Sequence, residues 1–157
     1  MIYETVLWLD TGNMTGFAML DRHGRDFWAD EFDFQTAAVC LENLCASRGP
    51  RLAVGYERYV VDPRRPQTHV YDALGMTGVT RYLARKYRCI GLPPSQAHTP
   101  TKAEHQILAA IGWWPRGRND AQAAAWHLYG WCQRTHNLPP RERAILLEGV
   151  STMGGRS

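Results

Sequence analysis

Apolar residues gather first in one unbroken run, Val6-Leu7-Trp8-Leu9, which closes on Asp10. A short run of this kind, rich in strand formers, predicts a central strand covered on both faces. Thr11-Gly12-Asn13 predicts a turn, Gly16 to Leu20 a second strand, Arg22-His23-Gly24-Arg25 another turn, and Phe27 to Phe32 a third strand. Connections this tight predict an antiparallel meander. The spacing then lengthens. Val39, Leu41, Leu44 and Cys45 follow a helical pattern that stops near Gly49-Pro50, and Leu52 to Tyr56 reads as a fourth strand delivering Glu57.

Pro63 and Pro66 break any regular element in the next segment. From about Gln67 to Lys86, the positions of Val70, Leu74, Val79, Tyr82 and Leu83 predict a long helix, weakened by Gly75 and Gly78. Cys89 to Leu92 predicts a short fifth strand. Thr99 followed by Pro100 has the form of an N-cap and first helical residue, with the helix running through Ile107, Leu108 and Ile111 to Gly112. Asn119 suits the cap of a helix from Asp120 to about Arg134, and Pro139-Pro140 the start of a last short helix. A meander followed by alternating helices and strands predicts a layered α/β domain over residues 1–150, built on a mixed five-stranded sheet flanked by helices. Residues 151–157 read as a flexible C-terminal tail.

Composition narrows the class. The chain has 157 residues, of which 45 % are hydrophobic and 21 % charged, a balance that excludes a wholly disordered or fibrous protein. No apolar run approaches the roughly 18 residues of a membrane span, and Met1 to Thr5 lacks the basic and apolar stretches of a secretory signal. No membrane association and a cytoplasmic location are expected. Cys40, Cys45, Cys89 and Cys132 form no C-x-x-C pair, so buried or spectator thiols are expected rather than a zinc or redox site.

Charge is unevenly divided. Residues 1–50 hold three arginines against eight acids, whereas residues 51–157 hold 15 Lys plus Arg against seven acids. Of the 18 basic residues 16 are arginines, whose planar guanidinium suits bidentate contact with phosphate. A polyanionic partner for the second half and an ordinary basic surface both fit that asymmetry.

Three acids occupy positions where charge is unexpected. Asp10 ends the most apolar strand, Glu57 ends another, and Asp120 opens a helix. Each has a plain alternative, since Asp10 suits a turn and Asp120 suits the helix dipole. If the first and fourth strands are neighbours, all three can converge at one edge of the sheet. Carboxylates held together repel unless a cation lies among them, and hard Mg²⁺ or Mn²⁺ suits an all-oxygen set better than zinc.

At these residues a family resemblance appears. Leu9-Asp10-Thr11-Gly12-Asn13-Met14-Thr15-Gly16-Phe17-Ala18 resembles the opening hairpin of RuvC-type Holliday junction resolvases, members of the ribonuclease H-like superfamily. Val54-Gly55-Tyr56-Glu57 resembles their second acidic strand, and Asn119-Asp120-Ala121-Gln122-Ala123-Ala124-Ala125 their closing acidic helix. The combination looks most like the shorter resolvases of bacteriophages, which implies host-cell cytoplasm as the place of action. The resemblance implies a ribonuclease H-like fold and a structure-specific endodeoxyribonuclease that resolves four-way and branched DNA. It implies two divalent ions per site, with Asp10, Glu57 and Asp120 as ligands, and products bearing 5′-phosphate and 3′-hydroxyl ends. It also implies a homodimer, which the small residues Ala73, Gly75 and Gly78 would suit by permitting close helix approach. The family places a fourth acid, or a histidine, one turn before the last Asp, where this chain has Gly117. His127, seven residues after Asp120, lies two turns along the same helical face and is a weaker candidate neighbour of the site.

Arg58, Arg64 and Arg65 follow Glu57 in what should be a loop beside the site, with Tyr59 among them able to stack on an unpaired base. Lys102 falls in the first turn of its helix, where free backbone N–H groups also attract anions, and resembles a basic residue of the family in that region. Solvated surface charge is the competing reading of all four cations. Trp113, Trp114, Trp126 and Trp131 suit a core better than stacking platforms. Two alternatives keep the fold: a ribonuclease H-like nuclease acting on RNA–DNA hybrids or forks, and a junction-binding protein without catalysis.

Overall fold

A computed structural model describes residues 3–21, 26–59, 70–96 and 101–153, with side chains described as far as residue 146. Strands β1 (Thr5–Asp10), β2 (Met14–Asp21) and β3 (Phe27–Asp33) form the expected antiparallel meander. Helix α1 (Phe34–Arg48) and a 3₁₀ turn (Gly49–Arg51) lead into β4 (Leu52–Arg58), which lies parallel to β1. Helix α2 (Val70–Lys86), strands β5 (Ile90–Gly91) and β6 (Ser95–Gln96), and helices α3 (Lys102–Ala110), α4 (Asn119–Arg134) and α5 (Pro140–Met153) follow.

The sheet runs β3-β2-β1-β4-β5, with β6 pairing to the far end of β4. The expectation of five strands missed β6. Pro93 and Pro94 lack the N–H groups that a continuous strand would need, so the chain leaves β4 after β5 and rejoins it beside Glu57 and Arg58.

β1 shows why the fold is layered. Its alternate side chains point to opposite faces. Leu7 and Leu9 enter a core with Leu41, Cys45, Leu52, Val54, Met76 and Leu83, under α1 and α2. Val6 and Trp8 enter the other core, with Ala18, Ala53, Leu108, Ala124, Leu128 and Trp131, under α3 and α4. Both faces are covered, so the run carries no polar residue until Asp10. Gly55 is paired with Trp8, and a Cβ there would lie 2.5 Å from the indole ring. Its missing side chain makes room for a buried tryptophan.

Several boundaries and faces differ from expectation. α1 buries Ala37, Leu41 and Cys45 and leaves Val39 exposed, with Asp33 capping it through a 2.9 Å acceptance from the Thr36 N–H. On α2, Val70, Ala73, Met76, Thr80 and Leu83 face inward, against the core shared with α1, while Leu74 and Tyr82 face solvent. α3 is capped by Thr101 rather than Thr99, since Thr101 and Glu104 form a reciprocal capping box; Thr99 and Pro100 lie outside the described residues. α5 has 14 residues and reaches Met153, so residues 151–153 are helical where a flexible tail was expected; residues 154–157 lie outside the described residues.

The tryptophans are largely structural. Trp8 and Trp113 are each 1 % exposed, and Trp113 stacks on Phe27 with ring centroids 4.8 Å apart. All four cysteines are free. No helix among the described residues is long and apolar enough to cross a membrane.

Candidate active site

Strand register alone builds a row of residues. Asp10 pairs with Gly16 across β1 and β2, and Gly16 pairs with Glu31 across β2 and β3. On the other side Leu9 pairs with Tyr56, so the next step of the parallel ladder sets Asp10 beside Glu57. Directly opposed residues share a face of a sheet. This face is the one carrying Val6, Trp8 and Ala53, beneath α4. The row Glu31, Gly16, Asp10, Glu57 therefore crosses four strands under one helix.

Gly16 sets the height of that helix. A Cβ at residue 16 would overlap the backbone carbonyl of Asp120, so the absence of a side chain lets the start of α4 rest on β2. Asp120 is thereby lowered onto the row. The expected convergence of Asp10, Glu57 and Asp120 is present as proximity: Asp10 hydrogen-bonds Glu57, and the charges of Asp10 and Glu31 act on Asp120. Among the described residues, no three acidic, histidine or cysteine groups are gathered tightly enough to hold one ion as they stand.

The electrostatics follow from this crowding. Burial is the largest influence on Asp10, followed by its hydrogen bond to Glu57 and that group's charge; His127 opposes them, and the carboxyl is pushed up to about 8. Asp120 is pushed up to about 6 by burial first, then by Asp10 and Glu31. Asp10, Glu57 and Asp120 offer oxygen donors only, the ligand chemistry that hard divalent ions take.

Two residues complete the arrangement in ways the sequence did not announce. His127 is buried, and its Nε2 lies 3.1 Å from Glu57 Oε2. It reaches the cluster without any bend in α4, because the helix runs across the sheet and β4 supplies the partner. Glu31 was absent from the expected set. Its Oε2 accepts from the backbone N–H of Asp120 at 3.1 Å and of Ala121 at 3.5 Å. The expected capping role of Asn119 is not observed: α4 begins at that residue, and Arg118 at the cap position makes no side-chain capping bond. Gly117, where the family pattern has its fourth acid, is exposed and has φ of 70°.

The expected cationic residues sort by location. Arg58 is exposed at the end of β4, one residue beyond Glu57, and Tyr59 follows it half-buried. Both line a small cleft together with Arg81 of α2, a neighbour the linear sequence does not suggest. Lys102 is exposed at the first position of α3. Arg64 and Arg65 lie outside the described residues. On the other side of Glu57, an open groove of about 680 Å³ is lined by Ser95, Gln96, Trp126, His127 and Arg134, among others.

No protein-family model matches the sequence, and no curated protein resembles it significantly. Solved structures do. The Thermus thermophilus RuvC structure superposes with a TM-score of 0.55 at 14 % identity, covering 85 % of this chain and 97 % of that one. T. thermophilus RuvC in complex with a Holliday junction substrate gives a TM-score of 0.57 at 12 % identity, with the same coverage. The architecture is thus a ribonuclease H-like α/β fold of the RuvC kind.

Proposed function

We propose that this chain is a divalent-metal-dependent endodeoxyribonuclease that cuts four-way and branched DNA, with Asp10, Glu57 and Asp120 as its catalytic carboxylates. The observation that carries the reading is the adjacency of Asp10 and Glu57 at the ends of paired strands, with the start of α4, which carries Asp120, resting on Gly16. The fold shared with a RuvC bound to a Holliday junction substrate supports the choice of DNA. Structural likeness alone does not define a reaction, so the assignment rests on the site.

Mg²⁺, or Mn²⁺ in its place, would be held by Asp10, Glu57 and Asp120, and when bound supplies activation of water and neutralisation of the leaving 3′ oxygen. The chain's own groups prepare that site. Asp10 would have to be ionised to serve as a ligand. His127 fixes the orientation of Glu57 through Nε2. Arg58, Tyr59 and Lys102 would contact the backbone or an unpaired base of the substrate, and Arg64 and Arg65 are assigned phosphate contacts from the sequence alone.

A homodimer fits the same reading, because paired cuts in a symmetric junction need two sites. Tyr71, Leu74 and Tyr82 project from the outer side of α2, and Gly78 beside them has open space above it. Of the three small residues expected there, Ala73 is buried within the chain and Gly75 meets Phe34, so only Gly78 is open to a partner.

The deciding experiment is a cleavage panel with Mg²⁺, Mn²⁺ and Ca²⁺ on four-way junction, fork, RNA–DNA hybrid and linear duplex. Symmetric 5′-phosphate cuts in the junction alone are expected with Mg²⁺ or Mn²⁺. Preference for the hybrid would move the assignment to another ribonuclease H-like nuclease, and binding without cutting would make the chain a junction-binding protein.

A further inference from the structure

Glu31 lies on the edge strand, 89 and 90 residues from the two N–H groups it accepts from. Helix starts leave their first N–H groups without intrahelical partners, and α4 has no capping side chain of its own. Glu31 fills that role from β3. Its carboxylate also sits at the positive end of the helix dipole, where negative charge is favoured. A second tie comes from the adjacent residue, since Asp30 forms an ion pair with Arg118 at the cap position. Gly16 supports the same turn from below. The start of α4 is therefore held from two directions, and the side chain carried by that turn is Asp120.

We infer that Glu31 is a positioning residue for Asp120: by accepting the Asp120 and Ala121 N–H groups it fixes the third carboxylate over the Asp10–Glu57 pair. The inference rests on the metal-site reading above for its functional consequence, whereas its structural half stands without it.

Two substitutions separate this role from others. Glu31→Gln retains a side-chain oxygen that can accept both N–H groups, while Glu31→Ala removes it. Hydrogen exchange at the amides of residues 120 and 121, measured on metal-free protein, should accelerate at least tenfold in E31A and little in E31Q. Mn²⁺ titrated into the protein should bind E31A at least tenfold more weakly than wild type, and E31Q within about threefold. Junction cleavage in E31A should lose kcat with KM unchanged, and E31Q should restore it. Unchanged exchange in folded E31A would overturn the inference, as would E31Q impaired as severely as E31A, since that would assign the effect to charge. If wild type itself binds no Mn²⁺, the metal-site reading fails while the exchange result still decides the role of Glu31 at the helix start.

Discussion

Gly16 and Asp120 meet backbone to backbone: the Cα of one, in the middle strand of the meander, lies under the carbonyl of the other at the start of α4. The contact joins a strand residue paired with Asp10 to the helix residue that must approach Asp10. Height, register and charge are thereby set at one point.

Gly16→Ala should displace the start of α4. Overpacking of this kind typically destabilises by about 1–3 kcal/mol. Urea denaturation should register that loss, and Mg²⁺-dependent cleavage should fall further than junction binding measured in Ca²⁺. A G16A variant of wild-type stability would show that α4 does not rest there.

Gly55→Ala tests the opposite end of the row's support. The new methyl would press on the Trp8 ring, so a loss of about 1–3 kcal/mol and a shift in tryptophan fluorescence are expected. A stable variant with unaltered emission would contradict the tight pairing of β1 with β4.

The raised carboxyls predict a pH dependence. Asp10 has an ordinary value of 3.8 and is held near 8 in the fold, so the folded state binds a proton that the unfolded chain releases. Its contribution to stability is complete below 3.8 and is lost as pH climbs towards 8. Asp120 adds an effect of the same sign up to about 6. In EDTA, the Tm of wild type relative to Asp10→Asn should therefore decline from pH 4 to pH 8, and Mg²⁺ should offset the decline at the upper end. A difference independent of pH would mean that Asp10 is not buried beside Glu57. The same D10N variant should fold, bind junctions and lose most cleavage.

Arg58 is the described cation nearest the carboxylates in sequence, at the strand end beyond Glu57. Arg58→Ala should weaken junction binding and reduce the slope of log K against log salt by about one. Equal slopes for variant and wild type would remove Arg58 from the phosphate contacts.

Thiol reactivity should divide by depth. Burial pushes Cys45 and Cys132 up to about 12, which keeps both as unreactive thiols at neutral pH. Mass spectrometry after brief iodoacetamide treatment of native protein should find both unmodified, with Cys40 and Cys89 alkylated first. Rapid labelling of Cys132 would indicate that the α4 core opens readily.

What the sequence revealed followed from local rules, and what it hid followed from pairing. The apolar run of β1, the apolar run of β4 and the start of α4 each announce themselves by composition, which is why the placement of Asp10, Glu57 and Asp120 at the ends of elements was legible. Glu31 was not. In Phe27-Trp28-Ala29-Asp30-Glu31-Phe32-Asp33 the acids look like ordinary solvent-facing decoration of an edge strand. Only the register with Gly16, set by hydrogen bonding between strands, distinguishes Glu31 from its neighbours. His127 is a weak candidate when only its own helix is considered, because the partner it finds, Glu57, comes from another element. Leu74 and Tyr82 misled in the opposite sense: apolar spacing put them inside, yet Val70, Ala73, Met76, Thr80 and Leu83 take the inward positions of α2.

The parallel ladder between β1 and β4 has a consequence for how the chain can go wrong. Sliding β4 by one residue would rotate Glu57 into the apolar layer beneath α1 and α2 and aim Tyr56 at His127. An ionised group forced into that layer would cost several kcal/mol. The acid at the end of β4 thus penalises a misaligned sheet and favours the observed register.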